Sequence, residues 1–331
     1  MSARSHAKVL ALSGGVGGAK LAAGLAGILH PGGLTVLVNT GDDFEHLGLH
    51  VSPDIDSVVY ALSGRNDIER GWGRADETWQ FMGALRELAG DDWFSLGDRD
   101  LAMHVLRTQA LRQGEALSAL TARAAAALGI RSQIVPMTDA PVRTLVHTDE
   151  GALAFQEYFV RRKCVPRVTG LCFEGVQRAM APSAVLALLR DPALAAVVLC
   201  PSNPFLSIDP ILAVPGLRDA LSACEAPVVA VSPIIGGAAV KGPTAKILRE
   251  LGHEVSPAAI AEHYAGLLDG IVIDEQDRDL RARIAIATCV TRTLMTRTDE
   301  RASLARSVLD FAATLRDTPA IRGDCRQMRQ A

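Results

Sequence analysis

The stretch VLALSGGVGGAK, from Val9 to Lys20, decides the fold class of this chain. An apolar run typical of a buried strand leads into a cluster of glycines, and the residues from Ala19 to Leu29 then show helical spacing. A strand that passes through glycines into a helix is typical of phosphate-binding α/β proteins, because unobstructed backbone amides lie at the helix N-terminus. We therefore expect an oxyanion at this turn, with Lys20 as a nearby positive charge.

Two known phosphate-binding motifs nearly match this turn. The dinucleotide motif G-x-G-x-x-G, started at Gly15, requires a glycine where Lys20 stands. The phosphate loop G-x-x-x-x-G-K-[ST], started at Gly14, meets Ala19 and Leu21 in place of its second glycine and its hydroxyl. A tight turn without a ligand would also explain the glycines. The sequence thus predicts an anion site without specifying the anion.

The composition indicates a layered α/β protein without a strongly charged partner. The chain has 331 residues and a mass of 35.0 kDa, which favours a core domain with an insertion. Hydrophobic residues make up 49% and aromatic residues only 4%, so aliphatic side chains must form the interior. A net charge of -3 argues against nucleic acid or an anionic membrane as a partner.

The cysteines and the hydropathy pattern favour a cytoplasmic protein. None of the six cysteines forms a C-x-x-C pair and most lie in apolar strings, so we expect reduced core residues. No apolar run approaches the roughly 20 residues that span a bilayer. The cysteines are Cys164, Cys172, Cys200, Cys224, Cys289 and Cys325.

The order of elements predicts a Rossmann-like α/β fold. Strand, helix and strand follow one another at the start of the chain, and AAVVLC, PVVAVS and GIVIDE are continuous apolar runs typical of a parallel sheet covered on both faces. Between 76 and 128 the pattern changes to amphipathic helices without a convincing strand. We predict a mostly parallel sheet with helices on both faces, formed by 1–70 and 130–331, and an inserted, mainly helical lobe at 71–129.

A run of carboxylates follows the second predicted strand. Asp42 and Asp43 are adjacent in NTGDD, and Asp54 and Asp56 open the next helix in SPDID. Adjacent carboxylates repel each other, so their position at the carboxyl edge of a sheet suggests a cation. Oxygen ligands without a His/Cys cluster favour Mg²⁺ shared with substrate phosphates. Helix capping by Asp54 and Asp56, or ribose binding by Asp42, would explain the same residues.

Aromatic and charged side chains gather between 72 and 104. Such a mixture could stack on a planar heterocycle and bind its polar edge, although aromatic residues at helical spacing also form plain core. The residues are Trp72, Arg74, Trp79, Trp93, Arg99, Asp100 and His104.

Two later turns follow apolar strands directly. CPSNPFLS offers Ser202 and Asn203, and VSPIIGGAAVKGP offers Ser232 and the pair Gly236 and Gly237. Together with the first turn they would lie at the carboxyl ends of parallel strands, so we expect all three to converge on one crevice. Neither a Ser-His-Asp arrangement nor a histidine pair for zinc is evident, which disfavours covalent and zinc-based mechanisms.

These segments together resemble the 2-phospho-L-lactate transferase family of coenzyme F-420 biosynthesis. The resemblance runs in family order from about residue 9 to about residue 242 and thins beyond about 250. It is carried by SGGVGGAK, VNTGDD, SPDID, RGWGRADETW, FSLGDRDLAMH, FQEYFVRRK, PSNPFLSIDPILAVPG and SPIIGG.

The resemblance implies a transfer without a covalent enzyme intermediate. The donor would be guanosine diphosphate carrying 2-phospholactate, phosphoenolpyruvate or phosphoglycerate, and the acceptor would be the terminal ribityl hydroxyl of the deazaflavin Fo. The hydroxyl would attack the phosphorus that bears the three-carbon acid, and GMP would leave. Positioning and charge neutralisation dominate the catalysis of such transfers. Which of the three acids is used depends on a pocket shape that the sequence does not reveal.

The resemblance also implies roles for individual residues. Asp43 and Asp56 are the predicted catalytic residues, and the predicted Mg²⁺ ligands are Asp42, Asp43, Asp54 and Asp56. The predicted donor and phosphate site consists of Gly14, Gly15, Gly17, Gly18, Lys20, Ser202, Asn203, Ser232, Gly236 and Gly237. The inserted lobe would flank the acceptor, with contacts from Trp72, Thr78, Trp79, Arg99, Asp100 and His104.

Two other functions fit parts of the sequence. A nicotinamide-dependent oxidoreductase would use the βαβ opening, but Lys20 in place of the third glycine argues against it. A non-catalytic regulator that binds a nucleotide sugar on a similar fold should lack GWGRADETW and GDRDL, which are present here. We expect small-molecule substrates, no nucleic acid or membrane partner and, because two-fold symmetry is the commonest arrangement, a homodimer.

Overall fold

A seven-stranded sheet forms the centre of the computed structural model, which describes residues 7–317. The strands of the chain are β1 (Lys8–Ser13), β2 (Leu34–Val38), β3 (Phe44–His46), β4 (Leu49–Val51), β5 (Gln133–Pro136), β6 (Arg143–Thr148), β7 (Gly151–Ala154), β8 (Val168–Glu174), β9 (Leu194–Leu199), β10 (Val228–Val231), β11 (Ile234–Ile235), β12 (Ala238–Ala239), β13 (Gly270–Ile273) and β14 (Ala287–Val290). The α-helices are α1 (Gly15–Ile28), α2 (Pro53–Leu62), α3 (Gln80–Glu87), α4 (Asp100–Arg112), α5 (Leu117–Ala127), α6 (Ser183–Leu189), α7 (Asp209–Ala213), α8 (Leu217–Ala223), α9 (Thr244–Glu250), α10 (Pro257–His263) and α11 (Thr298–Asp317).

The topology of the sheet places a crevice beside β1. The strands are ordered β14-β13-β10-β9-β1-β2-β5, and every neighbouring pair is parallel. The chain therefore runs outward from β1 to β5 and then returns to β9 on the other side of β1. Ligands of open parallel sheets bind at the carboxyl ends of the strands where the order reverses. The predicted Rossmann-like α/β fold is confirmed.

Two apolar layers cover the sheet. Along β1, Leu10 and Leu12 pack in one core and Val9 and Ala11 in the other, as the two-residue period of a strand requires. Helices α1, α2 and α11 cover the Val9 side, whereas α6, α8, α9 and α10 cover the Leu10 side together with an antiparallel sheet of order β7-β6-β8. Burial on both faces explains why the strands are continuously apolar.

The segment 71–129 is fully described and contains the helices α3, α4 and α5 without a strand. Helix α3 packs on the β3–β4 hairpin around Val51, Met82 and Leu96. Helix α5 instead returns to the sheet, where Leu117 and Ala125 join the core on the Val9 side. The division of the chain into a core and an inserted lobe stays a prediction.

Some local features differ from the expectation. The first helix begins at Gly15 rather than Ala19, so glycines form its first turn. The hairpins β3–β4 and β11–β12 lie where the sequence analysis predicts no strand, because antiparallel pairs of two or three residues leave little periodicity in a sequence.

The cysteines within 7–317 form no disulfide, and only some of them are buried. Cys200 and Cys224 lie in the core, whereas Cys172 is exposed on β8, a strand of the outer antiparallel sheet. Cys164 and Cys289 are half-buried, and Cys325 lies outside the described residues. Within 7–317, no helix combines the length and apolarity needed to cross a membrane.

Candidate active site

A cavity of about 680 Å³ opens at the carboxyl ends of β1 and β9. The turns after β1, β9 and β10 contribute to its wall, as do the first turn of α2 and the residues that follow β14. The three turns that the sequence predicted to converge therefore meet at one cavity. Its position is the crevice that the strand order predicts.

The glycines after β1 let α1 approach the turn after β9. A Cβ atom on Gly17 would lie 2.5 Å from the carbonyl oxygen of Pro201, and one on Gly18 would lie 2.5 Å from Ser202 Oγ. Gly15 adopts a φ of +64°, which favours glycine. Gly15 and Gly17 line the cavity, whereas Gly18 is buried behind it. Close packing thus explains part of the motif, and the cavity-lining backbone remains for a ligand.

The turn after β9 is joined to the glycine turn by hydrogen bonds. Ser202 Oγ donates to the carbonyl of Gly14 at 2.7 Å and accepts from its amide at 3.2 Å. Asn203 Oδ1 accepts from the amides of Phe205 and Leu206, whereas Asn203 Nδ2 has no partner among residues 7–317. Ser202 therefore holds the two turns together, and Asn203 keeps a donor for a ligand.

Asp54 reaches from α2 to the N-terminus of α1. Its Oδ1 accepts from the amide of Gly15 at 2.6 Å, and its Oδ2 accepts from Asn39 Nδ2 at 2.9 Å. Burial raises the pKa of Asp54 to about 6, although both hydrogen bonds oppose this shift. An anion bound at the glycine turn would therefore lie next to the carboxylate of Asp54. A cation or a proton must neutralise that carboxylate for the anion to bind.

Asp42 and Asp43 add two further buried carboxylates. Asp43 Oδ2 accepts from Ser52 Oγ at 2.7 Å and lies 3.1 Å from His50 Nε2. The Oδ1 atoms of both aspartates have no hydrogen-bond partner among residues 7–317. Burial, followed by the charge of Asp54, raises the pKa of Asp42 well above its usual value. Asp42 and Asp54 line the cavity, whereas Asp43 does not.

Asp56, the last of the predicted metal ligands, has a different environment. Both of its carboxylate oxygens accept from the guanidinium of Arg107, with Nη1 at 3.1 Å from Oδ2. Burial alone would lower the pKa of Arg107, but Asp56 outweighs it and raises that pKa. Asp56, Asp100 and His104 bring possible metal-ligand atoms within 4.8 Å of one another. Arg107 already supplies a positive charge at this group.

Lys20 lines the cavity as part of a group of cations. Its Nζ donates to the carbonyl of Met295 at 2.9 Å. Burial, and then the charges of Lys241 and Arg301, lowers the pKa of Lys20. A ligand phosphate would relieve this repulsion, so the position of Lys20 favours an anionic ligand.

The turn after β10 contributes only in part. Ser232 lines the cavity, and its Oγ donates to the carbonyl of Ile234 at 3.1 Å. Gly236 and Gly237 form the turn of the β11–β12 hairpin and do not belong to the cavity wall. The amide of Gly236 donates to Asp277 at 3.0 Å instead.

The predicted acceptor contacts are likewise divided. Trp72, Asp100 and His104 line the cavity, whereas Thr78, Trp79 and Arg99 do not. Trp79 packs edge-on against Trp72 at 6.3 Å and joins the apolar cluster of α3. Thr78, which precedes α3, donates a hydrogen bond to Asp98. Arg99 directly precedes α4.

Comparison with known proteins identifies the family. A family model described as 2-phospho-L-lactate transferase CofD matches residues 9–305. The chain belongs to the 2-phospho-L-lactate transferase family. The family match extends beyond residue 250, where the resemblance was expected to thin, and includes β13, β14 and the start of α11.

Individual relatives of this family carry two names. A phosphoenolpyruvate transferase of Streptomyces coelicolor is 39% identical over 319 residues, covering 94% of this chain and 99% of its own. A 2-phospho-L-lactate transferase of Methanosarcina acetivorans is also 39% identical, covering 93% of this chain and 100% of its own. A solved structure from Bacillus halodurans superposes with a TM-score of 0.62 at 16% identity, covering 92% of this chain and 100% of its own, which shows the fold alone.

The structure adds residues that were not selected as site residues from the sequence. Phe155 and Phe159 stack with ring centroids 5.3 Å apart and line the cavity of this family member, as does the segment Thr293–Met295. The sequence of Thr293–Met295 contains no recognisable motif. It reaches the cavity only because it follows the carboxyl end of β14. Arg107 did leave a signal, since Asp100, His104 and Arg107 share one face of α4 at i, i+4 and i+7.

Proposed function

We propose that this transferase moves a 2-phospholactyl, phosphoenolpyruvyl or phosphoglyceryl group from a guanosine diphosphate-activated donor to the ribityl hydroxyl of Fo, releasing GMP, in coenzyme F-420 biosynthesis. Membership of the family supports the class of reaction. The observation that carries the proposal is one cavity that combines glycine-turn backbone, buried carboxylates, a cation and an aromatic wall.

The donor would bind at the glycine turn. The backbone of Gly14 to Gly17 lines the cavity at the N-terminus of α1, where the helix dipole favours phosphate. Lys20 would neutralise diphosphate charge, and Asn203 Nδ2 would donate to the nucleotide or the three-carbon acid. This arrangement requires that the negative charge of Asp54 be neutralised, because Asp54 accepts a hydrogen bond from the first amide of the same helix.

The buried carboxylates fit a divalent cation. Asp42 Oδ1 and Asp43 Oδ1 lack partners among the described residues, and burial together with the nearby charge of Asp54 raises the pKa of Asp42. Oxygen-only ligands suit Mg²⁺, which Asp42, Asp43 and Asp54 would hold. Bound there, Mg²⁺ would neutralise charge on the donor phosphates. Asp56 could join this set only by giving up part of its pairing with Arg107.

The proposed reaction is a single displacement at phosphorus. The ribityl oxygen forms a bond to the phosphorus that bears the three-carbon acid, and the anhydride bond breaks as GMP leaves with its electron pair. The hydroxyl proton passes to a carboxylate. Asp43 and Asp56 stay the predicted catalytic residues, and of these two Asp56 lines the cavity.

Mass spectrometry of the reaction product tests the proposal. The protein is incubated with Fo, Mg²⁺ and each of the three guanylylated acids in separate reactions. A product with the mass of Fo plus one phosphoacid group, formed together with GMP, is the expected result. No adduct from any donor would refute the proposal. Quenching or enhancement of NADH fluorescence on mixing would instead support an oxidoreductase.

Substitution of Lys20 tests the donor site separately. Lys20→Ala should weaken donor binding by about tenfold or more, because a charge-assisted contact to phosphate is lost. Lys8→Ala is the matched control, since it removes the same charge at the opposite end of β1, where Lys8 pairs with Asp191. Equal donor affinity in the two variants would remove Lys20 from the donor site.

A further inference from the structure

Arg107 is a fully buried charged side chain for which the proposed reaction has no role. It lies on α4, is 1% exposed, and faces the first turns of α2. Its Nη1 and Nη2 bind the two oxygens of Asp56. Nη1 also lies 3.4 Å from the carbonyl of His50 and 3.3 Å from His104 Nδ1. A buried guanidinium with this many partners fixes the orientation of each of them.

The contact with Arg107 determines the tautomer of His104. A guanidinium can only donate hydrogen bonds, so Nδ1 of His104 must be the acceptor. In the neutral imidazole the proton then lies on Nε2. His104 is 1% exposed, which leaves the ring little freedom to rotate and exchange its two nitrogens.

Nε2 of His104 faces Asp100. It lies 3.3 Å from Asp100 Oδ2, an ion-pair distance without hydrogen-bond geometry, whereas Asp100 Oδ1 accepts from the hydroxyl of Tyr60. The Tyr60 hydroxyl and His104 Nε2 thus lie beside separate oxygens of the carboxylate, and each oxygen keeps a lone pair for a further donor. Asp100 lines the cavity, and its side chain is 16% exposed. It is therefore the member of this chain of contacts that a ligand can reach.

We propose that Arg107 is a positioning residue: by donating to His104 Nδ1 it leaves the proton on Nε2, and the Nε2–H, directed at Asp100 from 3.3 Å, then favours Asp100 as an acceptor for an N–H or O–H group of the bound ligand. The ligand class rests on the proposed function, because both guanine and the pyrimidinedione ring of Fo carry ring N–H groups. A carboxylate at this wall also disfavours phosphate there, so it would orient the ligand with its phosphate toward Lys20.

The tautomer is measured first, without any ligand. The ¹⁵N spectrum of the histidine side chains in the full chain should show His104 protonated on Nε2, with the resonances assigned by their loss in His104→Gln. In Arg107→Lys a single nitrogen replaces the planar fork of Arg107, so Asp56 competes with His104 Nδ1 for it and a mixture of tautomers is expected. A proton on Nδ1 in the unmodified protein would overturn the proposal, whether or not the chain transfers any group.

Ligand binding is measured second, with GDP and with Fo in separate titrations. Arg107→Lys should weaken one of the two ligands about tenfold, and Asp100→Asn should weaken the same one. The double variant should lose no more ligand affinity than the more severe single variant, because both changes remove the same contact. Additive losses, or equal weakening of both ligands, would indicate a general structural role and overturn the proposal.

Two further variants protect the test from a folding defect. Arg112→Lys is the matched control, since Arg112 lies on the same helix and donates to the carbonyl of Gly48. It should leave the His104 spectrum and both affinities unchanged. If Arg107→Lys does not fold, Asp56→Asn with Arg107→Met removes the buried charge pair together. That protein should again show mixed tautomers, and an unaltered Nε2–H tautomer would overturn the proposal.

Discussion

At the scale of single residues, the glycine turn combines a packing role with a binding role. Gly17 has no room for a Cβ atom because the carbonyl of Pro201 lies 2.5 Å from that position, whereas a Cβ on Gly27 of the same helix would meet nothing within 4 Å. Glycines that look alike in the sequence are therefore under opposite constraints.

This contrast predicts opposite effects of alanine within one helix. Gly17→Ala should lower the free energy of unfolding by about 1–3 kcal/mol through overpacking against β9. Gly27→Ala should raise it by about 0.5–1 kcal/mol, because alanine loses less backbone entropy in a helix. Urea denaturation of both variants measures the difference. A stabilised Gly17→Ala protein would contradict the close approach of α1 to the turn after β9.

The buried carboxylates predict a stability that falls as the pH rises. A carboxyl whose pKa is raised on folding stabilises the folded state at low pH and loses that contribution as the pH rises through the folded pKa. For Asp54 this window runs from about pH 4 to about pH 6, and Asp42 is shifted in the same direction. The protein without divalent ions should therefore be less stable at pH 8 than at pH 5.

Asp42→Asn tests this prediction. In EDTA at pH 8 it should raise the free energy of unfolding by about 1–3 kcal/mol, because an uncompensated buried charge is removed. Below pH 4 the difference should disappear. Asp279→Asn changes an exposed carboxyl and should shift stability by less than about 0.5 kcal/mol. A destabilised Asp42→Asn protein at pH 8 would mean that the carboxylate is compensated within the protein.

At the scale of elements, α3 and the β3–β4 hairpin share a small apolar cluster of their own. Met82 is fully buried in it, whereas Leu88, which follows α3, is 82% exposed. The cluster is separate from the two cores that cover the sheet. We therefore expect this part of the chain to open without unfolding the sheet.

Met82→Ala should weaken that unit by about 2–5 kcal/mol through the cavity it leaves. Hydrogen exchange followed by mass spectrometry should show faster exchange in the hairpin and α3, with the amides of β1 and β9 unchanged. Leu88→Ala should leave the exchange pattern unaltered. Faster exchange throughout the sheet would argue against an inserted lobe as a separate unit.

At the scale of the whole molecule, cation and nucleotide binding should depend on each other. GDP at about 100 times its dissociation constant stabilises the folded state by about 2.7 kcal/mol if it binds only that state. At a fixed GDP concentration we expect a larger thermal shift with Mg²⁺ than with EDTA, because the cation offsets Asp42 and Asp54 beside the phosphates. Asp42→Asn should reduce the difference. Equal shifts with and without Mg²⁺ would remove the cation from the donor site.

The homodimer also stays a prediction at this scale. Sedimentation equilibrium should give twice the chain mass of 35.0 kDa at micromolar concentration. A mass equal to that of one chain would contradict the predicted homodimer.

The sequence by itself determined the parallel α/β core, the glycine turn between its first strand and first helix, and the acidic residues that follow the second strand. These features depend on apolar periodicity and turn chemistry, which act between residues close in the chain. It also carried enough family motifs to identify the class of reaction before the geometry was known. Element bounds were less accurate, because the glycines after β1 entered the helix rather than preceding it.

Only the tertiary structure decided which carboxylates are compensated. Asp56 meets Arg107 across 51 positions of sequence, and Gly14 meets Ser202 across 188. No local pattern specifies such pairs, since they depend on how α4 packs on α2 and how β9 returns beside β1. The four aspartates look equivalent in the sequence and all four are buried, but the guanidinium of Arg107 separates Asp56 from the other three.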